Sequence, residues 1–248
     1  MSDSSSSEVI AKQSGAMDIV FVIDTTDSME TLIQAFEQIC FTIDEKCRTL
    51  SERIKFNYGV VLFKDPIGTN GRDQHSFVPI SNDINVVINA LHQVKAEGGG
   101  DIPEDWAGAF NIVNSLSTMN YTKDSIKIVI FATDAPSHGH SFGEAYESFE
   151  GIVNDTHHER EPICIQEIEK MIDNNINFCG FCLLRKNSIL DPMISFQKLS
   201  NIYNSYKEKE EPKAKFWDIK MNNSFEELKN TLIERIFETV HSLIPHDI

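Results

Sequence analysis

Positive charge is scarce in this chain: 22 Lys and Arg stand against 38 Asp and Glu, a formal net charge of −16 over 248 residues. Such a surface repels a polyanion unless its cations are gathered into a patch. The densest basic stretch, Lys207 to Lys215, is interrupted by Glu208, Glu210 and Glu211 and cancels locally. Nucleic acid and anionic membrane are therefore not expected partners. Long apolar runs are missing too, and none nears the roughly 18 residues that a membrane helix needs, so no membrane insertion is expected. Cysteine is sparse and odd in number, at five. Cys40, Cys179 and Cys182 lie in apolar runs where a thiol packs as a small hydrophobe, which predicts a reducing, cytoplasmic setting. Cys179 and Cys182 form a Cys-x-x-Cys pair, but strand positions three apart face opposite sides, which argues against a zinc or redox role.

What is present is an α/β pattern. Residues 1–16 are Ser-rich and polar, without the apolar core of a signal peptide, and are expected to be a disordered tail. Residues 17–246 suffice for one domain, with an apolar share of 41% to build its core. Asp18 to Ile23 is a short β-branched run, the signature of a strand buried on both faces of a parallel sheet. Apolar residues then recur at spacings of three and four from Met29 to Leu50, predicting a long helix that starts at Ser28 or just after. Ile54 to Phe63 and Ser76 to Ile80 read as an edge hairpin around the Asp65 to Gly71 turn chemistry. A helix over Ile84 to Val94 precedes the Gly98-Gly99-Gly100 loop. The next helical stripe runs from Trp106 to Leu116, with Pro103 expected in its first turn. Strands are predicted at Ile126 to Ala132, Ile176 to Leu184 and Ala214 to Met221, and helices at Ile165 to Asn174, Pro192 to Tyr203 and Phe225 to Leu243. Ser224 and Glu227 make a capping-box pattern at the start of the last helix. The expected architecture is a Rossmann-like, open, mostly parallel six-stranded sheet with helices on both faces. His138 to Pro162 is the irregular part, read as a surface loop or insertion.

Ligands of such sheets bind outside the carboxyl ends of the strands, where strand order reverses. Two loops meet that condition if the Ile126 strand lies beside the first, and each carries an aspartate. Asp24 follows the first strand, and Thr26 and Ser28 follow at alternate positions, so that an extended loop turns all three oxygens to one side. Asp134 reaches the same point from the neighbouring strand. Hard oxygens of this kind suit Mg²⁺, or Mn²⁺ or Ca²⁺, with water completing the shell.

Three segments, Asp24-x-Thr26-x-Ser28, Gly98-Gly99-Gly100-Asp101 and Phe131-Ala132-Thr133-Asp134-Ala135-Pro136, resemble the three loops of the metal-ion-dependent adhesion site of von Willebrand factor A domains. The resemblance implies Asp24, Thr26, Ser28 and Asp134 as metal ligands. Where the family usually has a threonine in its second loop, this chain has Asp101, taken as the substitute ligand. The run Gly99 to Trp106, with Asp134 to Gly139, is similar to the A domains linked to protist alpha-kinases. The implied function is a metal-dependent protein-binding module, without enzyme activity, whose ion completes its coordination with a partner's Asp or Glu.

Other readings exist. A metal-dependent hydrolase or phosphotransferase of the haloacid-dehalogenase type would need a second aspartate two residues after Asp24, where Thr26 stands. A scaffold that has lost its metal is a third reading. His138, His140, His157 and His158 with Glu144 and Glu159 invite zinc, but histidines of a polar loop are expected to face solvent. Asp27, Glu104 and Asp105 are expected to be solvated or to act behind the ligands. Met193, Phe196 and Leu199, at helical spacing, are expected in the core.

Overall fold

The computed structural model describes residues 15–65, 75–98, 103–142, 158–184, 192–206, 213–220 and 224–245. In chain order the strands are β1 (Gly15–Asp24), β2 (Ile54–Phe63), β3 (Ser76–Ser81), β4 (Ile126–Thr133), β5 (Ile176–Leu184) and β6 (Ala214–Lys220). The helices are α1 (Glu30–Leu50), α2 (Asn85–Gln93), α3 (Trp106–Asn114), α4 (Glu161–Asp173), α5 (Met193–Ser205) and α6 (Phe225–Ser242). They build one six-stranded sheet in the order β3-β2-β1-β4-β5-β6, parallel except for the β2-β3 hairpin. The chain leaves β1 toward β2 and later returns to β1's other side as β4, so strand order reverses between β1 and β4.

Both faces of the sheet are covered, which explains why the central strands read as unbroken apolar runs. Met17, Ile19, Phe21 and Ile23 of β1 point toward α1, α2 and α6. Val20 and Val22 point the other way, into an aromatic layer formed by Phe63, Trp106, Phe110, Phe131, Phe178 and Phe196 beneath α3, α4 and α5. Trp106 meets Phe131 edge-on with ring centroids 4.8 Å apart, and Phe63 stacks on Phe131 at 5.4 Å. Cys179 and Cys182 fall on opposite faces, as strand alternation demands. Phe196 and Leu199 are core and Met193 packs at its edge. Ser224 caps α6 with Glu227 answering, and the capping box is complete.

Several boundaries differ from the sequence reading. β1 takes in Gly15 and Ala16, which composition had assigned to the tail; Gly15 N donates to Arg53 O at 3.0 Å. A short 3-10 turn, Asp27–Met29, precedes α1. α3 begins at Trp106 with Asp105 as its N-cap, so Pro103 lies ahead of the helix, and Leu116 lies beyond its end and is exposed. α4 begins one turn early, at Glu161, with Pro162 in the first turn where a missing N–H costs nothing. Among the described residues no helix is long and apolar enough to cross a membrane.

Candidate metal-binding face

At the carboxyl ends of β1 and β4 the chain bends, and four oxygen-bearing side chains meet. Asp24 is the last residue of β1 and is wholly buried. Its Oδ1 accepts from Thr26 N at 2.9 Å and from Thr26 Oγ1 at 2.8 Å, and its Oδ2 accepts from Thr133 Oγ1 at 2.7 Å. Thr26 Oγ1 lies 3.2 Å from Ser28 Oγ, which donates to Asp134 Oδ1 at 2.9 Å. A chain of contacts thus runs Asp24, Thr26, Ser28, Asp134, joining two adjacent parallel strands. The alternate spacing of the first three is what brings their oxygens to one side.

Burial, together with the charge of Asp134, pushes the Asp24 carboxyl up to about 6, against the pull of its three hydrogen bonds from Thr26 and Thr133. The groups that act on it are a second carboxylate and neutral donors, and none is a cation. Among the described residues no three His, Cys, Asp or Glu side chains converge as a metal cluster. The local oxygens are instead two carboxylates and two hydroxyls, a set that suits a hard cation and gives a soft one little to bind.

Asp101 lies outside the described residues, as do Gly99 and Gly100. What is described of that loop is its first arm. Glu97 N donates to Thr25 O at 3.1 Å and Asp27 N reaches Gly98 O at 3.5 Å, so the Gly-rich loop starts against the Asp24 loop. Gly98 has φ +83°, which a side chain rarely adopts.

Glu104 and Asp105, expected to be solvated or to act behind the ligands, and His138, expected to face solvent, are all buried. Asp105 is wholly inaccessible. Its Oδ1 accepts from Gly108 N at 2.9 Å and Arg160 Nε at 2.7 Å, while its Oδ2 faces Arg160 Nη2 at 2.6 Å and His75 Nε2 at 2.8 Å. Burial alone would raise the carboxyl, but the His75 hydrogen bond, the Arg160 charge and the Gly108 N–H together hold it below the usual value. A Cβ at Gly108 would strike both the His75 ring and the Asp105 carboxylate, so this turn admits only glycine without rearrangement. Glu104 and His138 are also buried, against Asp65. Sequence reasoning did not place these because their partners, Asp65, His75 and Arg160, stand 30 or more residues away in the chain. Thr133 was missed for another reason, since a strand-end threonine carries no signal of its own. Asp27 is exposed, as expected. Of the zinc alternative, His157, Glu144 and the side chains of His140 and His158 lie outside the described residues.

Residues 18–150 match the sequence model of the von Willebrand factor A domain. The alpha-protein kinase vwkA of Dictyostelium discoideum is 24% identical over 141 residues, which make up 56% of this chain and 22% of the kinase. The chain therefore spans a minor part of that relative's length. Among solved structures, the pilus adhesin SpaC of Lactobacillus rhamnosus GG, in an open conformation, superposes with a TM-score of 0.57 at 14% identity, over 92% of this chain and 30% of the adhesin. A second structure of that adhesin also gives 0.57, over 31% of its length. At such identity the likeness is one of fold.

Proposed function

The chain belongs to the von Willebrand factor A domain family, and from that premise we propose that it is a protein-binding module that holds Mg²⁺ between β1 and β4 and offers it to an acidic side chain of a partner. The observation that carries this reading is the convergence of Asp24 and Asp134 from two separate strands, with Ser28 bridging Thr26 to Asp134 at 3.2 and 2.9 Å. Two carboxylates brought together repel, which is part of why Asp24 is raised, and a divalent cation is the natural relief.

Asp24, Thr26, Ser28 and Asp134 would hold the ion, with Asp101 as a further candidate from the second loop, and Mn²⁺ or Ca²⁺ would satisfy the same donors. The bound ion supplies a Lewis-acidic position open to water or to an incoming carboxylate. The neutral hydroxyls of Thr26 and Ser28 leave more of its charge for that ligand than two further carboxylates would. Thr133 fixes the orientation of Asp24 through its 2.7 Å hydrogen bond. In so acidic a chain, an acidic partner is attracted only where the ion reverses the local field.

Binding is preferred to catalysis because Thr26 stands where the phosphotransferase pattern needs an acid-base aspartate, and because the nearby His138 is spent on Asp65, 2.6 Å away. A reducing, cytoplasmic setting belongs to the same proposal. All five cysteines are free and buried, and burial pushes the Cys47, Cys164 and Cys179 thiols up to about 12, where they are inert.

Calorimetric titration of the full chain with MgCl₂ tests the reading: wild type binds and Asp24→Ala does not. A wild-type protein with no Mg²⁺ signal would sink it. Hydrolysis of a phosphoester by wild type, lost in Asp24→Ala, would revive the enzyme alternative.

A further inference from the structure

β2 supplies none of the four oxygen donors, yet its carboxyl end touches every loop of the metal face. Phe63 O accepts from Thr25 N at 2.8 Å and from Thr25 Oγ1 at 3.0 Å, which ties it to the Asp24 loop. Lys64 Nζ donates to Glu97 O at 3.2 Å, at the start of the Gly-rich loop. Asp65 N donates to Glu104 Oε2 at 2.7 Å, at the far end of that same loop. Asp65 Oδ1 faces His138 Nε2 at 2.6 Å, on the segment that follows Asp134. Glu104 closes the circuit, since its N–H donates to Pro136 O at 2.9 Å and it forms a bridge with Ser137. Asp65, Glu104 and His138 are each at most 4% exposed, so water offers these groups little alternative pairing.

We infer that Phe63 to Asp65, with Glu104 and His138, is a strut that sets the spacing of the three loops and thereby makes the site selective for Mg²⁺ over Ca²⁺. The inference rests on the metal-binding reading above. Its physical basis is the different tolerance of the two ions. Mg²⁺ requires a near-ideal octahedron at about 2.0 to 2.1 Å, whereas Ca²⁺ accepts longer, irregular shells of about 2.3 to 2.6 Å. Loops free to drift by a few tenths of an ångström keep a Ca²⁺ site and lose a Mg²⁺ site. Asp65, Glu104 and His138 are positioning residues in this account and touch no ion. It also assigns a task to Glu104 and His138, two side chains of the Asp-Ile-Pro-Glu-Asp-Trp and Asp-Ala-Pro-Ser-His-Gly segments that the metal site leaves unused.

The test is calorimetric titration of the full chain with MgCl₂ and, separately, CaCl₂, alongside thermal unfolding in chelator. Glu104→Ala removes the acceptor of Asp65 N and is expected to weaken Mg²⁺ about tenfold or more, in the range found for groups behind metal ligands. Ca²⁺ affinity should change much less, so the Mg²⁺-to-Ca²⁺ ratio falls. Glu104→Gln keeps an oxygen for Asp65 N and should restore most of the ratio. His138→Ala cuts the other link and should move the ratio the same way. Lys64→Met, on a half-exposed link, keeps the test readable should the buried variants not fold, and is expected to give a smaller shift of the same sign. A ratio unchanged in the folded variants, with wild type still binding Mg²⁺, overturns the strut alone. Absence of Mg²⁺ binding in wild type overturns the metal reading and the strut with it.

Discussion

Asp24 and Asp105 are both shut off from water, and each accepts at least three hydrogen bonds, yet burial acts on them with opposite results. Around Asp105 stand Arg160, His75 and the first turn of α3, and the carboxyl is held below its usual value. Around Asp24 stand hydroxyls, one N–H and a second carboxylate, and the carboxyl is pushed up to about 6. A buried carboxylate whose charge is already matched is part of the frame. One whose neighbours add to its charge is where, on the proposed reading, a cation from outside would bind. Asp18 lies at the opposite end of β1. It is saturated by Asn57, Thr122 and Ser125 and ties the amino ends of the strands together.

If that contrast is right, the two aspartates respond oppositely to removal. Asp105→Ala strands Arg160 and His75 and should cost about 3 to 5 kcal/mol of stability, the usual penalty for breaking a buried pair; chemical denaturation measures it. Asp24→Asn should abolish Mg²⁺ binding and, in chelator at pH 7, leave the protein more stable than wild type. Moving a carboxyl from 3.8 to about 6 corresponds to up to roughly 3 kcal/mol at 1.36 kcal/mol per unit. Loss of stability in the chelated Asp24→Asn protein would erase the distinction.

The contrast sharpens with pH. The folded chain binds a proton at Asp24 between about pH 3.8 and 6 that the unfolded chain does not. In chelator, that group therefore lowers stability as pH rises through the window and favours the folded state as pH falls through it. Asp105 has the opposite sign. Its contribution is present above the unfolded value of 3.8 and is lost as pH falls through its lowered folded value. The difference in Tm between Asp24→Asn and wild type should be greatest at pH 7 and close toward pH 4. A difference independent of pH would contradict the assignment. The smallest effect is expected at Thr133→Val, which removes one hydrogen bond from Asp24 and should weaken Mg²⁺ about tenfold while leaving the fold intact.

The repeating signals carried the fold well. Apolar runs such as Asp18 to Ile23 and the three-and-four spacing from Met29 onward are local, repeated many times and independently interpretable, so every strand and helix appears where periodicity puts it. Boundaries moved where a single residue decides. Pro103 reads as a helix starter, yet Glu104 is drawn into a bridge with Ser137 and the helix starts later. In the site, Asp24, Thr26, Ser28 and Asp134 were legible because strand ends and alternation specify them, and the structure brings all four into one hydrogen-bonded chain. Asp101 lies outside the described residues.

By itself, then, the sequence determined the strand and helix pattern and the oxygens at the ends of β1 and β4, because each depends on spacing along the chain; that β4 lies beside β1, so that strand order reverses there, is a tertiary fact. Only the tertiary structure decided which polar groups are buried and what they face. Nothing in one dimension marks Glu104, Asp105 and His138 as buried; they are buried because Asp65, His75 and Arg160 arrive from distant segments to satisfy them. Such pairing has no period, and withdrawing a charge from water depends on partners that only folding assembles.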